Sequence, residues 1–440
     1  MSCFESHLSQ LAVIGAAGKM GRGISLILLK LILKENLSGK HSLVLIDTQS
    51  GGFASLKDYL VVQINKCITK EDRWTFYYGK SFDERHANII RYIDDILVFS
   101  DKFQELKSRK IIFEAVPELP ELKIKVLKQA SEEASQLAYI FSNTSSIPIS
   151  YLEEKTDLQG RLIGFHFYNP PPVQPLIELI YSHYTSDDLK TLAMDTLKYM
   201  KKVSVQARDI AGFIGNGHFI REGLRAFSKI DIKQSSKERC RKIMTLNYVS
   251  EKGLLRPMGI FQLIDYVGLD VFYCIAKVLK DHLSNDCFES SLLDKFIEMN
   301  RQGGQTVEGN QKDGVFVYNE RMIVGVYDPY TQDILKWNEA EHNAMFKYLG
   351  IDRDPCCQWK DLHPEKSISE MHDHFSHYLQ GKSLFSTMTQ TLMNESHRIA
   401  MKLLKDRVAE SEDDINCVLV KGFHHRYGPI NSFLLNKIEK

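Results

Sequence analysis

The sequence predicts a doubly wound α/β domain followed by an all-α domain in two tandem copies, spanning residues 1–208, 209–325 and 326–440. Three observations carry this. A glycine-rich turn joins the first apolar strand to the first helix, which opens a βαβ unit. Short apolar strands then alternate with helical stretches up to about residue 208, the pattern of a parallel sheet covered by helices. Beyond Asp209 the strand signal fades and helical periodicity takes over. A chain of 440 residues is also too long for one ordinary core.

Taken in order, Leu11–Ile14 reads as a buried strand, Gly15–Gly21 as the turn, the stretch to about Lys34 as an apolar helix, and Ser42–Ile46 as the second strand. This is the start of a Rossmann-type sheet. Residues 53–107 carry charge at helical spacing and a single glycine, Gly79, so a mostly helical excursion is expected. Lys110–Ala115 reads as a strand, Leu119–Ser135 as a helix and Leu137–Phe141 as a strand. Two further strands, Arg161–Tyr168 and Leu176–Ile180, are joined by Asn-Pro-Pro-Pro-Val-Gln-Pro. Prolines fix φ and remove donors, so this joint is a rigid turn. A helix over Ser186–Lys201 and a strand over Lys202–Gln206 close the domain. In the remainder, Gly217–Ser228 and Arg256–Asp265 are echoed by Met388–Leu404 and Gly422–Asn431. Two copies of one helical unit account for this; two unrelated segments that each end in a glycine turn are the alternative.

Fifty-six Lys+Arg balance fifty-six Asp+Glu, so no global field draws the chain to nucleic acid or to an anionic membrane. No apolar run reaches the ~18 residues of a membrane span. The N-terminus lacks the basic-then-apolar order of a secretory signal, and a cytoplasmic protein is expected. The eight cysteines, Cys3, Cys67, Cys240, Cys274, Cys287, Cys356, Cys357 and Cys417, are scattered as reduced thiols are. Cys356–Cys357 lie near His363, His372, His374 and His377, but without the compact ligand pairs of a zinc site, and no metal is expected.

Gly15, Gly18 and Gly21, with Lys19 and Met20 between the last two, stand where a strand enters a helix. Backbone N–H groups and the positive helix end can meet a pyrophosphate there. The loop is one residue longer than G-x-G-x-x-G, so alone it is a moderate signal. Asp47 ends the second strand, where a carboxylate accepts hydrogen bonds from ribose hydroxyls and repels a 2′-phosphate. Thr48-Gln49-Ser50 brings no cation for such a phosphate, so NAD is favoured over NADP. Asp47 capping the next helix is the alternative.

His166 and Glu178 lie twelve residues apart and cannot share a helix face. A rigid turn between two strands can bring them together. A carboxylate beside an imidazole fixes its tautomer and stabilises the imidazolium formed on taking a proton. Read alone, a histidine among apolar residues is more often a satisfied core residue.

Three segments occur in an order and spacing that resemble the 3-hydroxyacyl-CoA dehydrogenases. They are Ser142-Asn-Thr-Ser-Ser146, His166-Phe-Tyr-Asn-Pro170 with Glu178, and Ala211-Gly-Phe-Ile-Gly-Asn216. The resemblance implies His166 as general base, Glu178 as its partner, and Ser145 and Asn216 as holders of the reacting oxygens. It implies that Ala115, Glu118 and Lys123 line the nicotinamide half of NAD, with Asn143 and Asn169 close by. Arg256–Asp265 and Gly309–Tyr318 look like the family's helical domain and its closing turn. The segment from about Gly381 looks like a second copy, as in the dehydrogenase half of multifunctional fatty-oxidation proteins. An acyl-CoA substrate and NAD-linked β-oxidation chemistry follow as expectations.

The longer loop, Pro175 and Gly217 depart from the family's pattern, at positions where a polar or basic residue and an arginine are usual for the last two. They bear on acyl preference and turnover. Lys57, Lys66 and Lys70 in the helical excursion are candidates for the CoA phosphates, or ordinary solvated lysines. Two rival functions remain: a dehydrogenase of a free hydroxy acid or sugar acid, and a degenerate member that only binds NAD or acyl-CoA. A fused second helical copy could occupy a partner's place, giving a monomer with internal pseudo-symmetry in place of a homodimer.

Overall fold

A computed structural model of the chain describes all residues except 1–3, 36–41, 49–50, 285, 307–308, 364–365 and 432–440. Cys3, Gln49 and Ser50 thus lie outside the described residues. The chain divides into two compact units, Met1–Ile210 and Ala211–Lys440.

The first unit begins with β1 (Gln10–Ile14), α1 (Lys19–Lys34), β2 (Ser42–Ile46), α2 (Gly52–Thr69), α3 (Phe82–Ile96) and β3 (Leu97–Ser100). It continues with β4 (Ile111–Glu114), α4 (Pro120–Glu133), β5 (Tyr139–Ser142), α5 (Ile149–Thr156) and β6 (Leu162–Phe167). It ends with β7 (Leu176–Tyr181), α6 (Asp187–Met200) and β8 (Val203–Arg208). The eight strands form one sheet in the order β3-β2-β1-β4-β5-β6-β7-β8. Pairing is parallel from β3 through β6, reverses at β6–β7 and is parallel again at β7–β8. The reversal is what the short proline turn permits, because a parallel return would need a crossover helix.

β1, β4 and β6 are buried along nearly their whole length, as strands covered on both faces are. α1 buries eleven residues, from Gly21 to Leu33, against the core of this unit. The helical excursion is present as α2 and α3, but it ends in β3, which sequence reading missed. Leu97-Val-Phe-Ser follows α3 without a turn residue, so nothing in its composition marks a change of period.

The second unit contains α7 (Gly215–Ser228), α8 (Ser236–Tyr248), α9 (Ile260–Val267), α10 (Leu269–His282) and α11 (Ser291–Glu298). Three short antiparallel strands follow, β9 (Phe316–Asn319), β10 (Met322–Tyr327) and β11 (Ile334–Lys336). Then come α12 (Glu339–Leu349), α13 (Ile368–Gln380), α14 (Leu384–Lys405) and α15 (Glu412–Gly422). The unit is mainly helical as expected, with the small sheet as an addition. Asp265, fully buried, accepts from the N–H groups of Val315 and Phe316 and from the Tyr318 hydroxyl, which ties α9 to the glycine-rich turn and β9.

One local arrangement occurs twice here. Asn247 Oδ1 accepts from Gln262 N at 2.9 Å, and Asn416 Oδ1 accepts from Ile430 N at 3.1 Å. A Cβ on Gly259 would strike Asn247, and one on Gly428 would strike Asn416. In both cases the asparagine precedes the glycine by twelve residues, and a residue with left-handed backbone, Leu255 or His424, precedes it by four. Gly217 is packed against Leu403 of α14, whose Cδ2 lies 3.1 Å from where a Cβ would stand. A Cβ at position 217 would crowd that methyl, which suits the glycine found there. Among the described residues no helix is long and apolar enough to cross a membrane, and no group of three His, Cys, Asp or Glu could hold a metal ion.

Candidate active site

The parallel strands place the predicted site residues at one end of the sheet, where ligands of such folds bind. Ile14, Ile46, Glu114 and Ser142 stand in register across β1, β2, β4 and β5, so the residues that follow them emerge side by side. These are Gly15, Asp47, Ala115 and Asn143.

Gly15 has φ +78, and a Cβ there would lie 2.8 Å from the Ala115 carbonyl oxygen. At Gly21 a Cβ would lie 2.0 Å from the Gly15 oxygen. The loop is therefore closed on itself in a way that only glycine allows. Gly18 is the N-cap of α1 and gives it no side-chain cap, and the N-terminal end of a helix favours an anion. Lys19 opens the helix; burial pulls its ammonium below the usual lysine range. Met20 packs against the core of this unit. Asp47 Oδ2 accepts from Ala17 N at 2.9 Å, so this carboxylate ends β2 and also fixes the phosphate loop. Arg22 binds the Ala17 carbonyl through Nε and Nη2 at 3.3 and 3.0 Å and lies over the Tyr59 ring. An uncapped helix end, a backbone cradle without Cβ atoms and a carboxylate at the tip of β2 fit a dinucleotide.

Glu114, Glu118 and Lys123 form a buried network. Lys123 Nζ is 2.8 Å from Glu114 Oε1 and 3.5 Å from Glu118 Oε2, with its side chain 1% exposed. Burial opposes the charge on Lys123, but the two carboxylates more than restore it and raise its proton affinity. Glu118 Oε1 accepts from Thr144 Oγ1, Ser145 N, Ser146 N and Ser146 Oγ at 2.8–2.9 Å, with Ser145 Oγ at 3.3 Å. Burial opposes its ionisation too; Lys123 and these donors outweigh it and hold the carboxyl below its ordinary range. Glu118 thus fixes the Ser142–Ser146 loop. That contact is additional to the cofactor role expected of it, and Thr144 and Ser146 were not singled out from sequence. Asn143 Oδ1 accepts from Phe167 N at 2.9 Å, tying this loop to β6 beside His166.

His166 and Glu178 stand directly opposite each other in the antiparallel β6–β7 pair. Nδ1 of His166 lies 3.0 Å from Glu178 Oε2, and the two residues are 7% and 0% exposed. Tyr168 donates to the same Glu178 oxygen at 2.7 Å. Sequence reading missed it, although residues 166 and 168 of a strand share a face. The connecting turn begins with a cis Asn169–Pro170 bond, and the Asn169 carbonyl accepts from Gln174 Nε2 at 3.3 Å. Lys202 clamps the turn through the carbonyls of Pro171, at 2.7 Å, and Gln174; burial pushes its ammonium down to about 8. Of the lysines proposed for CoA, Lys57 pairs with Asp94 at 2.6 Å and Lys66 reaches Gln63 at 3.4 Å, while Lys70 caps the end of α2. Asn216 lies in the first turn of α7, in the second unit.

Comparison with known proteins accords with this arrangement. The family model of the 3-hydroxyacyl-CoA dehydrogenase NAD binding domain matches residues 10–210, and that of the C-terminal domain matches residues 236–313. Hydroxyacyl-coenzyme A dehydrogenase, mitochondrial, of Homo sapiens is 29% identical over 314 residues, covering 69% of this chain and 91% of that protein. The 3-hydroxybutyryl-CoA dehydrogenase of Clostridioides difficile is 28% identical over 312 residues, 71% of this chain and 100% of the relative. Among solved structures, 3-hydroxybutyryl-CoA dehydrogenase from Escherichia coli K12 shares the fold at TM-score 0.63 and 18% identity. That likeness covers 96% of this chain and 90% of the other, reaching past residue 313, where the family models stop. The two matched domains, together more than half of the chain, place this protein in the 3-hydroxyacyl-CoA dehydrogenase family of oxidoreductases, with an NAD-binding first domain.

Proposed function

We propose that this protein oxidises a 3-hydroxyacyl-CoA to the 3-ketoacyl-CoA with NAD, His166 serving as general base. The observation that carries this reading is the buried His166–Glu178 contact at 3.0 Å. With Nδ1 directed at a carboxylate, the imidazole is held in the tautomer whose Nε2 accepts a proton. His166 takes the C3 hydroxyl proton, and Glu178 stabilises the resulting imidazolium. NAD, when bound, supplies the acceptor for the hydride that leaves the same carbon. The Ser145 hydroxyl, fixed through Glu118, holds the reacting oxygen, and Asn216 is assigned the same task by resemblance. The backbone of Gly15–Gly21 holds the pyrophosphate and Asp47 the ribose. Ala115, Lys123, Asn143 and Asn169 complete the nicotinamide side.

NADH oxidation with acetoacetyl-CoA tests this, with free acetoacetate and with NADPH as controls. General-base assistance contributes ~10²–10⁴-fold, so His166→Gln should lose at least that order in turnover while keeping NADH affinity. Wild-type turnover in that variant rejects the assignment, and preference for the free acid rejects the CoA thioester.

We further propose that the C-terminal segment is a second copy of the helical unit, supported by the repeated asparagine–glycine turns at 247–259 and 416–428. A fused copy predicts a monomer of 50.6 kDa; light scattering that finds a stable dimer refutes it. A cytoplasmic location, in contrast to the mitochondrial one in the human relative's name, is checked by cell fractionation.

A further inference from the structure

Tyr168 has no part in the roles assigned above, yet it touches both members of the pair. Its hydroxyl donates to Glu178 Oε2 at 2.7 Å, the same oxygen that faces His166 Nδ1 at 3.0 Å. Its ring centroid lies 4.8 Å from that of the imidazole, at a 41° tilt. Tyr168 is 8% exposed and Glu178 is 0% exposed, so water competes little for these bonds. The neighbouring strand places Val205 opposite Glu178 in register, so β8 sets an apolar residue against it. β6 contributes His166, the residue that follows β6 is Tyr168, and the β5 loop contributes Asn143 through its bond to Phe167 N.

We infer that Tyr168 is a positioning residue of the base, drawing part of the charge of Glu178 away from the imidazole and so holding the strength of His166 below that of the same pair without the phenol. The inference rests on His166 being the base. A carboxylate oxygen that accepts from a phenol O–H gives up part of its charge to that bond, and less remains to stabilise an imidazolium on the other donor. The same bond fixes the direction of the Glu178 lone pairs, and the ring limits tilt of the imidazole. Tyr168 therefore favours a base that is unprotonated, and ready, at lower pH.

The test is Tyr168→Phe, which keeps the ring and removes only the hydroxyl. The acid limb of the pH–rate profile should move to higher pH by about 0.5–1 unit, each unit being a tenfold change in the protonation equilibrium. Turnover should then fall severalfold on the acid side and little at high pH, with NADH affinity unchanged. In a Glu178→Gln background the same substitution should move the limb hardly at all, because the shared charge is gone. A second readout needs no substrate: the titration of the His166 ring by NMR, its signals identified by their loss in His166→Gln. That titration should move up with Tyr168→Phe even if no acyl-CoA proves to be a substrate, so failure of the activity assay and failure of this inference are distinguishable. A ring titration and acid limb that stay put, or move to lower pH, overturn it. An equal shift in the Glu178→Gln background overturns it as well.

Discussion

Replacing Glu118 by Gln removes one charge and changes no volume, so its effect isolates what that charge holds. Four donors reach Glu118 Oε1 at 2.8–2.9 Å and a fifth lies at 3.3 Å. Hydrogen bonds to an ionised acceptor are worth ~1.5–3 kcal/mol and to a neutral one ~0.5–1.5, so each loses about 1 kcal/mol. They share one oxygen and do not add. Lys123 keeps Glu114 at 2.8 Å, which limits the cost of its burial, and a net loss of about 2–4 kcal/mol follows. For a domain of this size that is a fall in Tm of roughly 5–15 °C. Because folding holds the Glu118 carboxyl below its ordinary range, its stabilisation is present above the unfolded-state pKa of about 4.3 and is lost as pH falls below it. The gap between wild type and Glu118→Gln should accordingly be full at pH 7 and narrow toward pH 4. Ser145 N is one of the donors, so turnover should fall as well, by ~10-fold or more, since a misplacement near 1 Å can cost ~10²-fold. Thermal unfolding across pH and steady-state kinetics read both. A variant with wild-type Tm and turnover at pH 7 would show that the donors are held by something other than this charge.

Two further outcomes are expected. Glu153 is fully buried under Ser182 and Gly160 N, and burial raises its carboxyl to about 7. A raised acid contributes stability that is present below the unfolded pKa and is lost as pH rises through 7. Glu153→Gln should then gain on wild type in Tm between pH 6 and pH 8, and a pH-independent difference contradicts this. Gly21→Ala would set a Cβ 2.0 Å from the Gly15 carbonyl oxygen, a backbone atom that cannot yield without opening the phosphate loop. NADH affinity by fluorescence titration should drop at least ~10-fold, and unchanged affinity would remove this loop from the cofactor site.

Much of the first unit was legible because its signals are local. The strand–glycine–helix start, the apolar strands and the proline turn each announce themselves within a few residues, and the described strands fall within two residues of the expected ones. β3 was not legible, since it continues α3 with no punctuation and owes its pairing to β2. The role of Glu118 as anchor of the Ser142–Ser146 loop was hidden for a different reason: its donors lie 26 to 28 positions away. Tyr168 was within reach, two residues from His166 in the expected strand Arg161–Tyr168. It was passed over because an aromatic at a buried strand position reads as core, and only the Glu178 oxygen 2.7 Å from its hydroxyl shows otherwise. Gly217 stood out as a departure without a reason until Leu403, 186 positions on, was seen to fill the space beside it.

The reversal of β7 is what lets one short segment carry the whole of the proton-handling apparatus proposed above. Parallel neighbours are separated by a crossover of a dozen or more residues, and their facing positions are set by how that crossover packs. Antiparallel neighbours joined by a rigid turn have a register fixed by the turn itself. Here the turn is pinned three times: by the internal Asn169–Gln174 bond, by the Lys202 ammonium on Pro171 and Gln174, and by α1. At α1 a Cβ on Gly23 would lie 2.9 Å from Pro171 Cδ. The contact with Gly23 is significant because α1 is also the helix whose N-terminus faces the phosphate loop. The glycine loop and the turn that carries His166 and Glu178 are thereby referred to the same helix, at Gly18 and Gly23, five positions apart. Glu178 then arrives opposite His166 as a matter of register, and Tyr168, the first residue past β6, reaches the same Glu178 oxygen. On this account the precision of the pair resides in the turn and not in the side chains of His166 and Glu178, and, if the proposed roles hold, substitutions that loosen Lys202 or crowd Gly23 damage turnover without touching either.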